Sequence, residues 1–189
     1  MKNFIEFCKN QPSTKVLVVL VALSVLFNIY ATNILNTSYT ASLFPVPYYE
    51  AQLSFSPTKI QGWYSFLIEH EALSKYIQTQ NLDFVFIVST LFLHFFALLL
   101  ISRLFPVSST WRSGMIVVAI VSSLAPLADA LENGVSYIMM ANPLHFPAYL
   151  AYIYSTFSAI KFSMFAFAYI AFIVGLVASS ILWIQRKRI

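Results

Sequence analysis

A short polar sequence interrupts a long apolar stretch in the C-terminal half of the chain. Residues 128–134 read Ala-Asp-Ala-Leu-Glu-Asn-Gly. Glu132 and Asn133 follow Asp129 by three and four positions, so on a helix all three project from one face. Two carboxyl groups this close in a low dielectric cannot both ionise cheaply; either a nearby cation compensates one or one carboxyl keeps its proton. The pattern predicts a site that handles protons or binds a ligand.

Further polar residues fall inside apolar stretches elsewhere in the chain. Asp83, Thr90 and His94 follow one another at spacings of seven and four, which places them on one helical stripe. Lys161 is the cation that lies well inside an apolar segment. The candidates for ligand binding or proton handling are therefore Asp129, Glu132, Asn133, Lys161, Asp83 and His94.

His94 alone could ligate a metal or haem, but no second histidine falls inside an apolar segment, because His70 and His145 belong to connections. We therefore expect a neutral, hydrogen-bonded His94, no metal site and no cofactor. The alternative for the whole set is a structural network, in which Asp129, Asn133 and Lys161 join helices through hydrogen bonds. A charge inside a membrane is expensive, which favours a functional role over a purely structural one.

The composition places these residues in a membrane. Hydrophobic residues make up 59% of the chain, charged residues make up 10%, and the mean hydropathy is +0.76. A helix crosses a bilayer core with about 20 apolar residues, and segments 16–35, 82–105, 114–141 and 149–184 are long enough. We predict a single membrane domain over 1–189, an all-α four-helix bundle whose first span is not cleaved as a signal peptide. Pro126 predicts a kink in the third span.

Basic residues predict the orientation of this bundle. Lys and Arg favour the cytoplasmic side of short connections. They occur before the first span, between the second and third, and after the fourth: Lys2, Lys9, Lys15, Arg103, Arg112, Arg186, Lys187 and Arg188. Both chain ends are thus expected in the cytoplasm, and the polar set in the outer half of the membrane. The short loops and the single cysteine make a bacterial inner membrane our expectation.

The first outer loop, 36–81, is too long for a simple connector and predicts a folded cap over the bundle. Residues 48–55 form an aromatic, partly alternating stretch that we expect to be extended. Ser56 as an N-cap with Pro57 at the first helical position predicts a helix after it. Its apolar stripe is expected at the membrane interface and comprises Ile60, Trp63, Leu67 and Ile77.

The sequence also restricts the partners. The net charge of +4 comes from basic residues at the chain ends and in one loop, so no basic surface for nucleic acid is expected. Cys8 is the single cysteine, which excludes an intrachain disulfide. The expected partners are membrane lipids and a small amphipathic ligand. Nothing in the sequence indicates an oligomeric state.

Several short motifs occur in a familiar order along the chain. They are Leu82-Asp83-Phe84-Val85-Phe86 at the start of the second span, Asp129-x-x-Glu132-Asn133 followed by Asn142-Pro143 in and after the third, and Lys161 in the fourth. In these motifs, from about Ser56 onward, the chain resembles a widespread family of uncharacterised four-span membrane proteins. That resemblance brings no reaction with it. In plan the chain is also similar to four-helix sterol-isomerase-like membrane proteins, which bind amphipathic ligands beside buried carboxylates.

Three functions fit these residues. The first is a site that binds or processes a small amphipathic or lipidic ligand, in which Asp129 and Glu132 act as an anion or acid/base pair and Lys161 and Asp83 set their charge. The second is a proton-coupled transporter or channel subunit, although few polar residues continue beyond His94 towards the cytoplasm. The third is a structural or accessory membrane protein without chemistry.

Overall fold

The computed structural model describes residues 2–187, and this part of the chain is helical with short connections and contains no strand. The helices are α1 (Lys2–Asn10), α2 (Thr14–Ala41), α3 (Tyr48–Gln52), α4 (Pro57–Glu69), α5 (Leu73–Ser102), α6 (Thr110–Ser122), α7 (Leu124–Ala141) and α8 (Ala148–Lys187). Four segments are long and apolar enough to cross a membrane: α2, α5, α6 with α7, and α8. The prediction of a multi-pass, all-α membrane protein is confirmed at this level. Arg188 lies outside the described residues, as do the side chains of Arg186 and Lys187.

The second span begins earlier than the hydropathy pattern predicts. α5 starts at Leu73, whereas the apolar segment starts at position 82. Residues 73–81 are mostly polar but contain no proline or glycine, so the helix continues through them beyond its apolar part. Glu71, with a φ of 56°, separates α4 from α5. Asp83, which the sequence places at the start of the second span, therefore lies in the third turn of the helix.

The third span is interrupted next to Pro126. α6 ends at Ser122 and α7 begins at Leu124, with Ser123 between them. A proline has no N–H to donate to the carbonyl four residues earlier, and its ring crowds that carbonyl. Just before this point, the hydroxyls of Ser122 and Ser123 donate to the Ala119 carbonyl at 2.9 and 3.0 Å. The predicted kink thus takes the form of a break three residues before the proline.

Residues 42–72, which we call the cap, connect α2 to α5. The predicted extended stretch at 48–55 is wrong, because Tyr48–Gln52 is the short helix α3. No strand within residues 2–187 could pair with an isolated extended segment, whereas a helical turn pairs its own backbone groups. The Glu50 and Ala51 amides donate to the Pro47 carbonyl at 3.0 and 3.3 Å.

The second half of the cap begins at the residue that the sequence predicts. The Ser56 side chain accepts a hydrogen bond from the Lys59 amide, and Pro57 is the first residue of α4. Ile60 and Leu67 are buried in a cluster with residues of α5, α7 and α8, so their contacts are with protein. Ile77 belongs to α5 and not to this helix.

The long helices pack in antiparallel pairs. Asn28 of α2 donates to Ser89 and Thr90 of α5, and Ser38 near the end of α2 bonds Thr79 near the start of α5. α5 packs on α7, and α7 packs extensively on α8. α2 and α8 make little or no direct contact. The bundle therefore has one seam, between α2 and α8, that helix packing does not close.

Two arginines organise the opposite end of the bundle, which we call the base. Arg112 is buried and donates to the backbone carbonyls of Phe105 and Lys9. Arg103 donates to the carbonyls of Gln11 and Pro12 at 3.0 and 3.1 Å. These residues were identified in the sequence as orientation signals, and here they also hold α1 against the start of α6.

The packing at the base buries the side chain of Cys8. Its side chain is 2% exposed and packs with Leu17, Leu99 and Ile116. Burial raises the pKa of the Cys8 thiol, and the charge of Arg103 opposes that shift only in part. The thiol is therefore shielded and stays protonated at neutral pH, in the form that reacts poorly with alkylating reagents.

We expect Cys8 to react with a maleimide at neutral pH at least about tenfold more slowly than a free thiol, because only the exposed thiolate reacts. Arg112→Ala should accelerate labelling, since it removes the bonds that hold α1 in place. Lys2→Ala removes a charge from the same helix without such bonds and should leave the rate unchanged. Labelling followed by intact mass measures both. Fast labelling of the folded wild type would contradict this packing.

Candidate functional site

Lys161 forms two ion pairs in the interior of the bundle. Its Nζ lies 2.8 Å from Asp129 Oδ1 and 2.6 Å from Glu132 Oε2. Each of the three residues is at most 3% exposed. α7 supplies both carboxylates from adjacent turns, and α8 supplies the ammonium from its own inward face. We call these three residues the triad.

A second polar pair lies beside the triad. Asn133, one position after Glu132, donates from Nδ2 to Asp83 Oδ2 at 2.7 Å. This bond joins α7 to α5 and brings Asp83 into the same cluster. The fold thus gathers five of the six predicted residues: Asp83, Asp129, Glu132, Asn133 and Lys161.

The cluster is incompletely paired. It holds three carboxyl groups and one ammonium, and no positively charged group other than Lys161 contacts the carboxyls among residues 2–187. Glu132 Oε1 and Asn133 Oδ1 are buried without a hydrogen-bond partner in the same part of the chain. Buried charges and polar atoms are costly unless they are paired. The cluster can therefore hold protons or accept a cationic or hydrogen-bonding group.

The cap contributes a neutral phenol near this cluster. Tyr64 of α4 is 2% exposed. Burial raises the pKa of Tyr64 to about 12; its bond with Ser136 opposes the shift, and the negative charge of Glu132 adds to it. Tyr64 therefore keeps its proton at physiological pH and can act only as a neutral hydrogen-bonding group.

A cavity of about 370 Å³ adjoins the cluster. Asp83, Asp129 and Lys161 line one wall of it. The remaining wall is rich in aromatic side chains: Tyr39, Tyr76, Tyr154, Phe162, Phe165 and Tyr169. Glu132 and Asn133 do not line the cavity and reach it only through their bonds to Lys161 and Asp83. The cavity thus joins a charged wall to an apolar aromatic one.

The cap and the open seam bound this cavity. The end of the cavity nearest the cap is lined by Tyr48, Ala51 and Gln52 of α3. α2 and α8, which make few contacts with each other, also contribute side chains to the cavity. The Phe55 amide donates to Ser155 of α8 at 3.1 Å, which holds the end of α3 against that helix. The cavity thus lies beside the seam between α2 and α8.

His94 lies at the other end of the same cavity. It shares the α5 face with Asp83 and Thr90, as the spacing predicts, and all three line the cavity. The expectation of a hydrogen-bonded His94 is wrong, because neither ring nitrogen has a partner within residues 2–187. The imidazole instead meets Phe165 and Tyr169 edge-on, with centroids 5.4 and 5.3 Å away.

Sequence reasoning missed several contributors. Gln80 donates to Ser136 at 3.2 Å and to the Tyr76 hydroxyl at 2.8 Å, which links α5 to α7 above the cluster. Its position three residues before Asp83 could have revealed it, because the two share a helix face. The sequence spacing does not reveal that Gln52 and the aromatic residues line the cavity, because their positions depend on how the cap and α8 pack. Among residues 2–187, His, Cys, Asp and Glu form no group of three suited to a metal ion.

Removing the ammonium from the triad should be strongly destabilising. Lys161→Met leaves two buried carboxyls facing each other, and breaking a buried pair costs about 3–5 kcal/mol. The triple variant Lys161→Met, Asp129→Asn, Glu132→Gln should regain much of this loss, because no charge is left unpaired. Equilibrium unfolding in detergent measures the difference.

Lys75→Met is the matched control for that experiment. Lys75 is exposed and bonds only the neighbouring Gln78, so its loss should change the free energy of unfolding by less than about 0.5 kcal/mol. Equal stability of Lys161→Met and the wild type would show that the triad does not hold α7 and α8 together.

Comparison with known proteins adds nothing to this geometry. No protein-family model, no curated protein and no solved structure matches the chain. A functional assignment therefore depends on the cavity and the residues that line it.

Proposed function

We propose that this protein binds a small amphipathic, lipid-like molecule in the cavity, with the polar head of the molecule at Asp83, Asp129 and Lys161. One observation carries the proposal. A buried charged cluster and an aromatic wall face the same cavity, inside helices that are apolar enough to cross a membrane. Ligand sites are typically concave and largely apolar, with a few polar groups that fix orientation.

The shape of the cavity supports an elongated ligand. On α5 its lining runs from Tyr76 to His94, which at 1.5 Å per residue is about 27 Å. Its volume of about 370 Å³ lies at the lower end of the range for ligand pockets, roughly 300–1,000 Å³. A long, narrow space of this kind suits a single hydrocarbon chain with a small head.

The charges of the cluster support a cationic head. Three carboxyl groups face one lysine, so the cluster carries an excess of acidic groups. An ammonium head placed between Asp83 and Asp129 would pair with that excess. The phenyl and phenol rings beside it can also receive a cation on their faces.

The orientation follows from the distribution of charge. The described residues of the base include Lys2, Lys9, Lys15, Arg103 and Arg112, with Glu6 as the acidic residue. The cap carries Glu50, Glu69 and Glu71 against Lys59, with Lys75 just beyond it. We therefore assign the base to the cytoplasm and the cap to the outside, in a bacterial inner membrane. The cluster would then lie in the outer half of the bilayer, where a lipid-like molecule could enter through the α2–α8 seam.

Two other functions remain to be distinguished. A proton-coupled transporter needs a polar route across the membrane, but Leu98, Ile101, Phe105, Met115 and Ala119 form an apolar core beyond His94. A purely structural role has one observation in its favour: Lys161 already pairs with both triad carboxylates. A purely structural role does not account for the cavity, for Asp83 in its lining, or for His94, whose ring nitrogens have no partner within residues 2–187.

Binding can be tested with dodecylamine as the probe. Native mass spectrometry of the wild type in mild detergent should show saturable one-to-one binding, and 1-dodecanol should bind more weakly. Asp83→Asn should weaken dodecylamine binding about tenfold, because a hydrogen bond to a charged group contributes about 1.5–3 kcal/mol. Any molecule retained from the cell membrane should be lost from the same variant.

Glu71→Gln serves as the matched control, since it removes one exposed acidic charge outside the cavity and should leave binding unchanged. Equal binding of dodecylamine by the wild type and by folded Asp83→Asn would place the amine elsewhere. An absence of saturable binding in the folded wild type, with triad variants that only lose stability, would favour the structural role.

A further inference from the structure

His94 is a buried polar side chain that the proposed head-group site leaves unused. It is 6% exposed, lines the cavity, and has no hydrogen-bond partner on either ring nitrogen within residues 2–187. Its surroundings on α8 are the edges of Phe165 and Tyr169. A buried polar group without a partner is destabilising. A partner inside the cavity would remove that cost.

The polar groups of α2 and α5 next to His94 already have partners. Thr90, one turn above His94, accepts a hydrogen bond from Asn28 at 3.0 Å, and the same Asn28 amide reaches Ser89. Beyond His94 the bundle is filled by the apolar cluster around Leu98 and Ala168. His94 is thus the last polar side chain that α5 contributes to the cavity, and both of its ring nitrogens have free hydrogen-bonding capacity within residues 2–187.

His94 and the head-group site are a fixed distance apart. Asp83 and His94 lie on one face of α5, eleven residues apart, which corresponds to about 16 Å along the helix axis. Phe162 and Phe165 of α8 and Phe86 and Leu93 of α5 line the space between these levels. The cavity therefore presents a charged group, an apolar stretch and then a single imidazole.

We propose that the ligand is bipolar, with a hydroxyl group about 16 Å from its cationic head, and that His94 binds this hydroxyl. A neutral imidazole has one donor and one acceptor nitrogen, and a hydroxyl can serve either of them. A plain alkyl chain would leave the imidazole buried and unpaired, which would disfavour it. The inference rests on the proposed function, because it concerns a second contact of the same ligand.

Two probes that differ only in the distal group test this contact. They are 1-dodecylamine and 12-amino-1-dodecanol, whose twelve-carbon chains are about as long as the separation of about 16 Å. The wild type should bind the amino alcohol about tenfold more tightly than the amine, since tenfold corresponds to about 1.4 kcal/mol, a value within the range of one hydrogen bond. His94→Phe should remove or reverse this preference, because a hydroxyl would then be buried without a partner.

Two control variants separate the distal contact from the head-group contact. Asp83→Asn should weaken binding of both probes by a similar factor and keep their ratio, because it acts at the other end. His145→Phe changes an exposed histidine and should alter neither affinity nor ratio. Native mass spectrometry with both probes in one solution gives the ratio directly.

A second measurement uses the wild type alone, in case His94→Phe does not fold. In protein labelled with ¹⁵N-histidine, the amino alcohol should shift the His94 ring resonances and the amine should not do so to the same extent. Equal shifts, or equal affinities of the two probes for the wild type, would overturn the hydroxyl contact while leaving amine binding intact. If neither probe binds, the proposed function fails and this inference fails with it.

Discussion

The pairing of Lys161 with Asp129 and Glu132 is the constraint on which the rest of the bundle depends. An ammonium and two carboxylates can remain in an apolar interior only if they meet, because the cost of removing unpaired charges from water is several kcal/mol per ion. The 2.8 and 2.6 Å contacts therefore set the register of α7 against α8. Asn133, which bonds Asp83, extends the same constraint to α5. Three of the four spans are thus positioned by one polar cluster.

The fourth span, α2, is held differently, and that difference creates the cavity. α2 is attached to α5 through Asn28 and Ser38 and is nearly free of α8. With an apolar, tightly packed contact between α2 and α8, the charged cluster would be sealed, and only its structural role would remain. Because that contact is missing, Asp83, Asp129 and Lys161 line a space of about 370 Å³. The same polar cluster therefore holds helices together and lines the cavity.

The two ends of the bundle support this arrangement in different ways. At the cap, a core that includes Ile60, Tyr64 and Leu67 packs on α5, α7 and α8. α3 then closes the upper end of the cavity. At the base, Arg103 and Arg112 use backbone carbonyls of α1 and the adjacent loops as partners. The cap therefore bounds the cavity, while the base closes the opposite end of the fold.

The sequence alone determined the number of spans and the chemistry of the cluster. Both follow from local physics: the bilayer requires about 20 apolar residues in a spanning helix, and helical periodicity places Asp129, Glu132 and Asn133 on one face. Local helix-capping preference predicted Ser56 as the N-cap of α4, and helical periodicity placed Asp83 and His94 on one face of α5.

Only the tertiary structure decided which helices meet, because periodicity defines the face of a helix and not its neighbour. It placed Lys161 between two carboxylates, left α2 apart from α8, and turned residues 48–52 into a helix for lack of a pairing strand. It also left the imidazole of His94, at the end of the cavity, without a partner among residues 2–187. Whether a buried polar group is satisfied depends on atoms from distant parts of the chain, and that cannot be inferred from the spacing of residues.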